Sequence, residues 1–290
     1  MLRTVFVLAV LSFFANASAA LASPSLWVIK SPTATVYLFG TIHLLRRDEE
    51  WETLRISDAL ADSQELWLEV PDLDDVGTAR ELVTQLGYDP THPLSTVLPA
   101  KDLAHLKSAA SRLALPQGEA TFEPMRPWLA ALALTESQML HAGYDPNAGV
   151  EHVLLDVWKD NQKEVRGFET LDQQLHFFAD MPPRLQEEVL ENALSDFDGG
   201  VAKLNAIVDA WMRGDQKAIT RLIVDDLRQP LPELYRTLIV ERNKRWAETI
   251  DGMLKQTGNR FIAVGAGHLA GPDSVQAQLI AKGIAVSLVR

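Results

Sequence analysis

The chain has 290 residues, 47% of them apolar and 23% charged, which is enough hydrocarbon for one large core or two small ones. Its 27 basic and 39 acidic side chains leave a net charge of −12, which argues against nucleic acid and anionic lipid as main partners, since both demand a positive surface. There is no cysteine, so disulfides, thiolate-bound zinc, iron–sulfur centres and cysteine nucleophiles are excluded together.

Residues 1–22 have the layout of a secretory signal peptide. Arg3 is followed by the apolar run Val5–Phe14 and by small residues with Ala-x-Ala at Ala17–Ala19 and Ala20–Ala22. Ten residues of helix rise about 15 Å, half of the roughly 30 Å core of a bilayer. Cleavage near Ala20 or Ala22 is therefore expected, leaving residues 23–290 as a periplasmic or secreted chain with no membrane span. Next, Leu26–Lys30 and Thr35–Phe39 flank a turn containing Pro32 and read as a hairpin. Arg55–Ser63 reads as helix, and Leu66–Val70 as an almost unbroken apolar strand. From about residue 72 to 255 the text is mostly helical, with helices expected over Lys101–Leu115, Arg126–His141 and Gly149–Asp160. Lys163–Phe168 is a short strand, and Thr170 with Gln173 forms a capping box for the helix that follows. Three or four more helices fill Pro183–Leu254. The end is a β-α-β phrase: strand Phe261–Val264, loop Gly265–Gly271, helix Ser274–Lys282 closed by Gly283, and strand Ile284–Val289. The expected fold is α/β, a single domain with a mixed sheet, an N-terminal hairpin and a large helical insertion.

One pattern occurs twice. Val36–Phe39 leads into Gly40-Thr41-Ile42-His43-Leu44, and Phe261–Val264 leads into Gly265-Ala266-Gly267-His268-Leu269. With 16 glycines and 7 histidines, a bare G-x-x-H is expected about 0.4 times by chance, so the four preceding apolar residues carry the signal. A buried strand delivers the chain to the sheet edge, Gly40 or Gly265 permits a sharp exit or close approach, and the histidine lands where open α/β sheets place their ligands. Gly149-Val150-Glu151-His152 lacks the strand and reads as the chance match. The remaining histidines, His92, His105, His141, His152 and His176, read as ordinary surface or helix-end residues. Gly265-x-Gly267-x-x-x-Gly271 is one residue too long for a dinucleotide fingerprint.

Three charged residues stand in apolar surroundings. Glu69 interrupts Leu66–Val70, and a lone carboxylate in a buried strand costs several kcal/mol unless paired or bound to a cation. Glu169 follows the strand at Lys163–Phe168, beside a helix start where the dipole also favours an acid. Arg242 fills the place that spacing by four assigns between Leu238 and Trp246, where an arginine pairs with carboxylates or points a cation at a ligand; Arg245 reads as a solvated face. His43, Glu69 and His268 at one sheet edge could bind a divalent ion, Mn, Co or Zn, and activate its water toward a carbonyl. A metal-free version has His43 as general base, with Glu69 orienting it.

These pieces, Gly40-Thr41-Ile42-His43, Leu68-Glu69, Gly167-Phe168-Glu169-Thr170, Arg242-Asn243 and Gly265-Ala266-Gly267-His268-Leu269, resemble the TraB/PrgY/GumN family over nearly all of Leu26–Arg290. That family is related to the Tiki metalloproteases and more distantly to erythromycin esterases and ChaN-like proteins. The resemblance implies a divalent-metal peptidase site with His43, Glu69 and His268 at its core and Arg242 in support. The expected function is a periplasmic metal-dependent hydrolase of peptide bonds. Its alternatives are a metal-free, esterase-like hydrolase, a protein that sequesters a peptide or small ligand unaltered, and an envelope scaffold. The sequence leaves substrate and oligomeric state open.

Overall fold

The structure, a computed structural model, describes residues 23–72 and 74–289; the expected leader over residues 1–22 lies outside the described residues. Six strands form one sheet: β1 (Leu26–Lys30), β2 (Ala34–Thr41), β3 (Glu65–Leu68), β4 (Glu164–Gly167), β5 (Gly258–Gly265) and β6 (Ser287–Leu288). Their order is β4-β3-β5-β2-β1-β6. β2 runs parallel to β5, β5 to β3 and β3 to β4, while β1 is antiparallel to both β2 and β6. The expected α/β fold with a mixed sheet is thus present, with the hairpin at β1–β2 and the last strand much shorter than its apolar text.

Helices cover both faces of the central strands, which is why β2 and β5 read as unbroken apolar runs. Phe39, Phe261 and Ala263 pack on one side with Trp51 and Trp211. Val36, Leu38, Ile262 and Val264 pack on the other with Trp246, Ile250 and Leu279. A second, wholly helical core joins Leu106, Trp128, Leu134 and Leu190, so the helical segment has packing of its own. β4 is the exception within that segment: it returns to the sheet and brings Gly167 beside Leu68. Among the described residues no helix is long and apolar enough to cross a membrane.

The register of β2 on β5 sets Gly40 beside Val264 and Thr41 beside Gly265. The two Gly-x-x-His segments therefore leave the sheet side by side, one residue out of step. The helix Gly200–Met212 is fastened to this edge through Trp211, whose Nε1–H donates to the Gly40 carbonyl at 2.7 Å. Trp211 also packs on Phe39 and Trp51, with ring centroids 6.2 and 6.4 Å away. Trp211→Phe leaves a buried carbonyl unpaired and shrinks the aromatic cluster; it should cost about 2–3 kcal/mol by urea unfolding.

Candidate active site

Four parallel strands end at the same edge, and each releases one polar residue just past its last pairing. β2 leads to His43, β3 to Glu69, β4 to Glu169 and β5 to His268. The β3–β4 pairing persists into this turn, with Glu169 N–H donating to the Glu69 carbonyl at 2.9 Å. Placement beyond the carboxyl ends of parallel strands is the position open α/β sheets use for ligands.

Arg242 enters from the helix Arg242–Met253 and ties three of these residues together. Nη2 donates to Glu69 Oε2 at 2.5 Å and to Glu169 Oε2 at 2.8 Å, Nε lies 3.0 Å from Glu169 Oε1, and Nη1 donates to His268 Nε2 at 3.1 Å. Its remaining Nη1 hydrogen goes to the Leu238 carbonyl at 3.2 Å. Leu238 lies in a π-helical turn, Arg236–Glu241, where backbone bonds pass to the fifth residue rather than the fourth. All five guanidinium donors are thus committed inside the protein. Of the two roles open to this arginine, it takes the pairing one. Arg245, expected in solvent, is half exposed and also reaches Glu169 Oε1 at 3.4 Å.

The tautomer of His268 follows from its partners. A guanidinium only donates, so Nε2 accepts, and Nδ1 must carry the proton that goes to Asn243 Oδ1 at 2.6 Å. Asn243 is fixed in turn by its amide N–H bonds to the carbonyls of His268 and Asp273. Burial, with Arg242 alongside, pushes His268 down to about 3, so its ring is neutral. Burial alone would raise Glu69, but the Arg242 guanidinium, His43 and the Gly265 N–H hold it well below the ordinary carboxylate range. Glu69 Oε1 accepts that N–H at 2.8 Å, and Oε2 also accepts from Gln174 Nε2 at 3.2 Å.

His43 differs in kind. Its side chain is 67% exposed, against 5% for Arg242 and 10% for Glu69. Nδ1 lies 2.7 Å from Glu151 Oε1, and Thr41 Oγ1 donates to the same oxygen. The Glu151 carboxylate raises His43 to about 9, with a smaller push from Glu69. The Nε2 atom faces the space beside Gly265: a Cβ built there would lie 3.2 Å from Glu69 Oε1, 3.5 Å from His43 Nε2 and 3.7 Å from His268 Cδ2. Both imidazoles and the acid therefore border one small volume that only glycine keeps open. Gly40 is needed for a separate reason, since a Cβ there would sit 3.1 Å from Ala266 Cα.

Glu151 and Gly149 were not found from the sequence. They belong to Gly149-Val150-Glu151-His152, which reads as a chance match, and the helix Val150–Asp160 begins there. A Cβ on Gly149 would come within 2.1 Å of the His43 carbonyl oxygen, and Val150 N–H donates to the Ile42 carbonyl at 3.1 Å. The helix start is thus pressed onto the His43 loop. An acid in a first helical turn has an ordinary explanation in the dipole, which hid a carboxylate that is buried. Asn243 and Gln174 were missed as roles for the same reason: nothing in their spacing marks them.

The fit to a divalent ion was tested on these atoms. His268 Nε2 and Glu69 Oε2 are both spent on Arg242, so an ion held by His43, Glu69 and His268 together would have to displace a buried guanidinium. Among the described residues no three His, Asp or Glu side chains are arranged to hold an ion as they stand. His43 Nε2 and Glu69 Oε1 are the atoms with capacity left.

Fold and site together define an α/β domain with an acid–base cluster at the carboxyl edge of its parallel strands. The chain belongs to the TraB/PrgY/gumN family, which it matches over residues 25–288. It is 24% identical over 269 residues to an uncharacterized protein of Treponema pallidum (strain Nichols), covering 86% of this chain and 78% of the relative. It is 21% identical over 243 residues to the uncharacterized protein YbaP of Escherichia coli (strain K12), covering 84% and 87% respectively. No solved structure matches it.

Two measurements check this geometry. Arg242→Met strands two buried carboxylates and should cost about 3–5 kcal/mol in urea unfolding at neutral pH; Arg242→Lys, with three donors for five places, should not restore it. In an NMR titration the His43 ring should change charge near pH 9, and at a clearly lower pH in Glu151→Gln. Because the folded value is the raised one, the pair's stabilisation is complete below pH 6.5 and fades as pH rises through about 9.

Proposed function

We propose that the chain is a hydrolase of acyl carbonyls, ester or peptide, in which His43 is the general base. The observation that carries this reading is the Nε2 of an exposed histidine, which has no partner among the described residues. Its other nitrogen is held by a buried carboxylate, and it faces Glu69 Oε1 across the space at Gly265. A water lying there donates a hydrogen bond to Glu69 Oε1, keeping that hydrogen, and loses its other proton to His43 Nε2 as its oxygen adds to the carbonyl carbon. The bond to the leaving oxygen or nitrogen then breaks, and His43 returns the proton to it. Glu151 keeps the imidazole oriented and stabilises its charged form, as a buried acid does behind a catalytic histidine. Arg242 and His268 act by holding Glu69 in place. The leader-like text of residues 1–22 supports a location outside the cytoplasm.

The metal-dependent reading rests on the same pair of atoms: His43 Nε2 and Glu69 Oε1 would hold a divalent ion, which would supply an acidified water, and His268 could join only after Arg242 released it. Chelation separates the two. Hydrolysis of p-nitrophenyl esters or of a peptide panel that survives EDTA supports the metal-free form; activity restored only by Mn, Co or Zn overturns it.

The pH profile is the sharper test. With His43 as base, kcat/KM should rise tenfold per pH unit from neutrality and level off near pH 9, with that midpoint moving down in Glu151→Gln. His43→Ala should lose about a hundredfold or more. Full activity in His43→Ala would sink the reading, and substrates recovered unaltered after long incubation would favour a sequestering protein.

A further inference from the structure

We propose that the site takes its substrate by an acyl chain, laid in an apolar trough that leads away from His43. This deepens the hydrolase reading and rests on it only for which end of the chain meets His43. Two adjoining cavities of about 540 and about 370 Å³ share the lining residues Leu44, Leu132, Phe178, Leu204, Ile207 and Leu227. The nearer cavity also touches His43, Glu69, Gly265 and His268, and the farther one Thr135, Gln138, Asn192, Asp196 and Lys203, so an apolar stretch joins two polar ends. Hydrocarbon walls leading away from a cluster of converging polar groups are the layout of a small-molecule site.

The shared lining comes from four helices besides the His43 loop: Pro127–His141, Leu171–Ala179, Gly200–Met212 and the short Asp226–Arg228. Leu204 and Ile207, three apart, sit on one face of Gly200–Met212. These side chains are half-buried rather than buried, and Leu132 is 40% exposed, although fully packed cores lie on either side. Several large apolar groups left partly in water at the mouth of a polar site mark a surface kept for a ligand.

The chemistry of the shared stretch decides between an alkyl chain and a peptide. None of its six residues carries a side-chain donor or acceptor. A peptide backbone crossing it would leave its amides unpaired, a penalty a polymethylene chain does not incur. The far end closes on Lys203, whose charge is met by Asp196 and Asp226, with Thr135, Gln138 and Asn192 beside it; the polar groups resume only beyond the shared stretch. The geometry therefore suits one long apolar substituent on the scissile carbonyl, whose hydrolysis releases a fatty acid and an alcohol or amine.

The test reads binding apart from turnover. Cis-parinaric acid should bind both the wild-type chain and His43→Ala. Leu204→Asp and Ile207→Asp should weaken it tenfold or more, and Val157→Asp, on an exposed helix face, should not. Since either trough variant could fail to fold, competition on the wild-type chain gives a second measurement: dodecanoate should displace the probe at least a hundredfold better than butanoate, a buried methylene being worth about fourfold. No probe binding, equal competition by the two acids, or better displacement by an apolar hexapeptide overturns the trough. Probe binding without hydrolysis of any ester or peptide overturns the hydrolase reading and leaves the trough standing. Hydrolysis indifferent to chain length does the reverse.

Discussion

The buried guanidinium of Arg242 is the interaction on which the strand ends depend. Three of the four parallel strands deliver groups that it binds, Glu69, Glu169 and His268, and it supplies a positive charge buried among them. Without it, two carboxylates at 8% and 7% exposure would lie side by side with only the half-exposed Arg245 within reach. The cation therefore makes an acidic sheet edge tolerable, and in doing so it sets the geometry of Glu69 and the tautomer of His268. The cost is that none of its donors is left for a substrate. Reactivity has to come from a neighbour.

That neighbour is reached by the opposite arrangement. His43 hangs on the loop after β2, outside the guanidinium cluster, and is oriented from behind by Glu151 rather than from the front by Arg242. The site thus contains two histidines with contrasting environments. His268 is sealed between Trp246, at a ring distance of 4.4 Å, and Arg242, and stays neutral. His43 is open and holds a proton more tightly than a free imidazole. Groups of one type driven apart by their surroundings are the usual sign of divided roles in an acid–base site.

The paired Gly-x-x-His segments, Glu69 and Arg242 were legible because each breaks a rule that the surrounding sequence obeys. A glycine and a histidine end an apolar strand, a carboxylate interrupts another, and an arginine fills a core position of a helix. The strand ends converge because parallel strands all present their carboxyl ends to one edge, a consequence of topology that the β-α-β phrase already implied. Glu151 broke no such rule. It stands in a first helical turn, where acids are common, and its burial comes from the press of Gly149 against the His43 loop, a contact between segments about a hundred residues apart. The last strand was misjudged for a related reason. Ile284–Val289 is apolar enough for a full strand, yet only Ser287 and Leu288 form ladder pairs, on Val28 and Trp27, followed by one bond from Val289 N–H to the Leu26 carbonyl, because an edge strand pairs on one side alone.

The glycines carry the closing step. Gly265 leaves room between His43, Glu69 and His268, while Gly149 lets a helix come close enough for Glu151 to reach His43. Each removes a methyl-sized volume, one in front of the reactive imidazole and one behind it. An alanine at the first would crowd a carboxylate oxygen at 3.2 Å, and one at the second would meet a backbone carbonyl at 2.1 Å. The carboxylate can yield by a few tenths of an ångström and the backbone cannot without moving the loop. The position that reads as chance in the sequence is therefore the less forgiving of the two, and the placement of His43 rests on it as much as on the motif that contains the histidine.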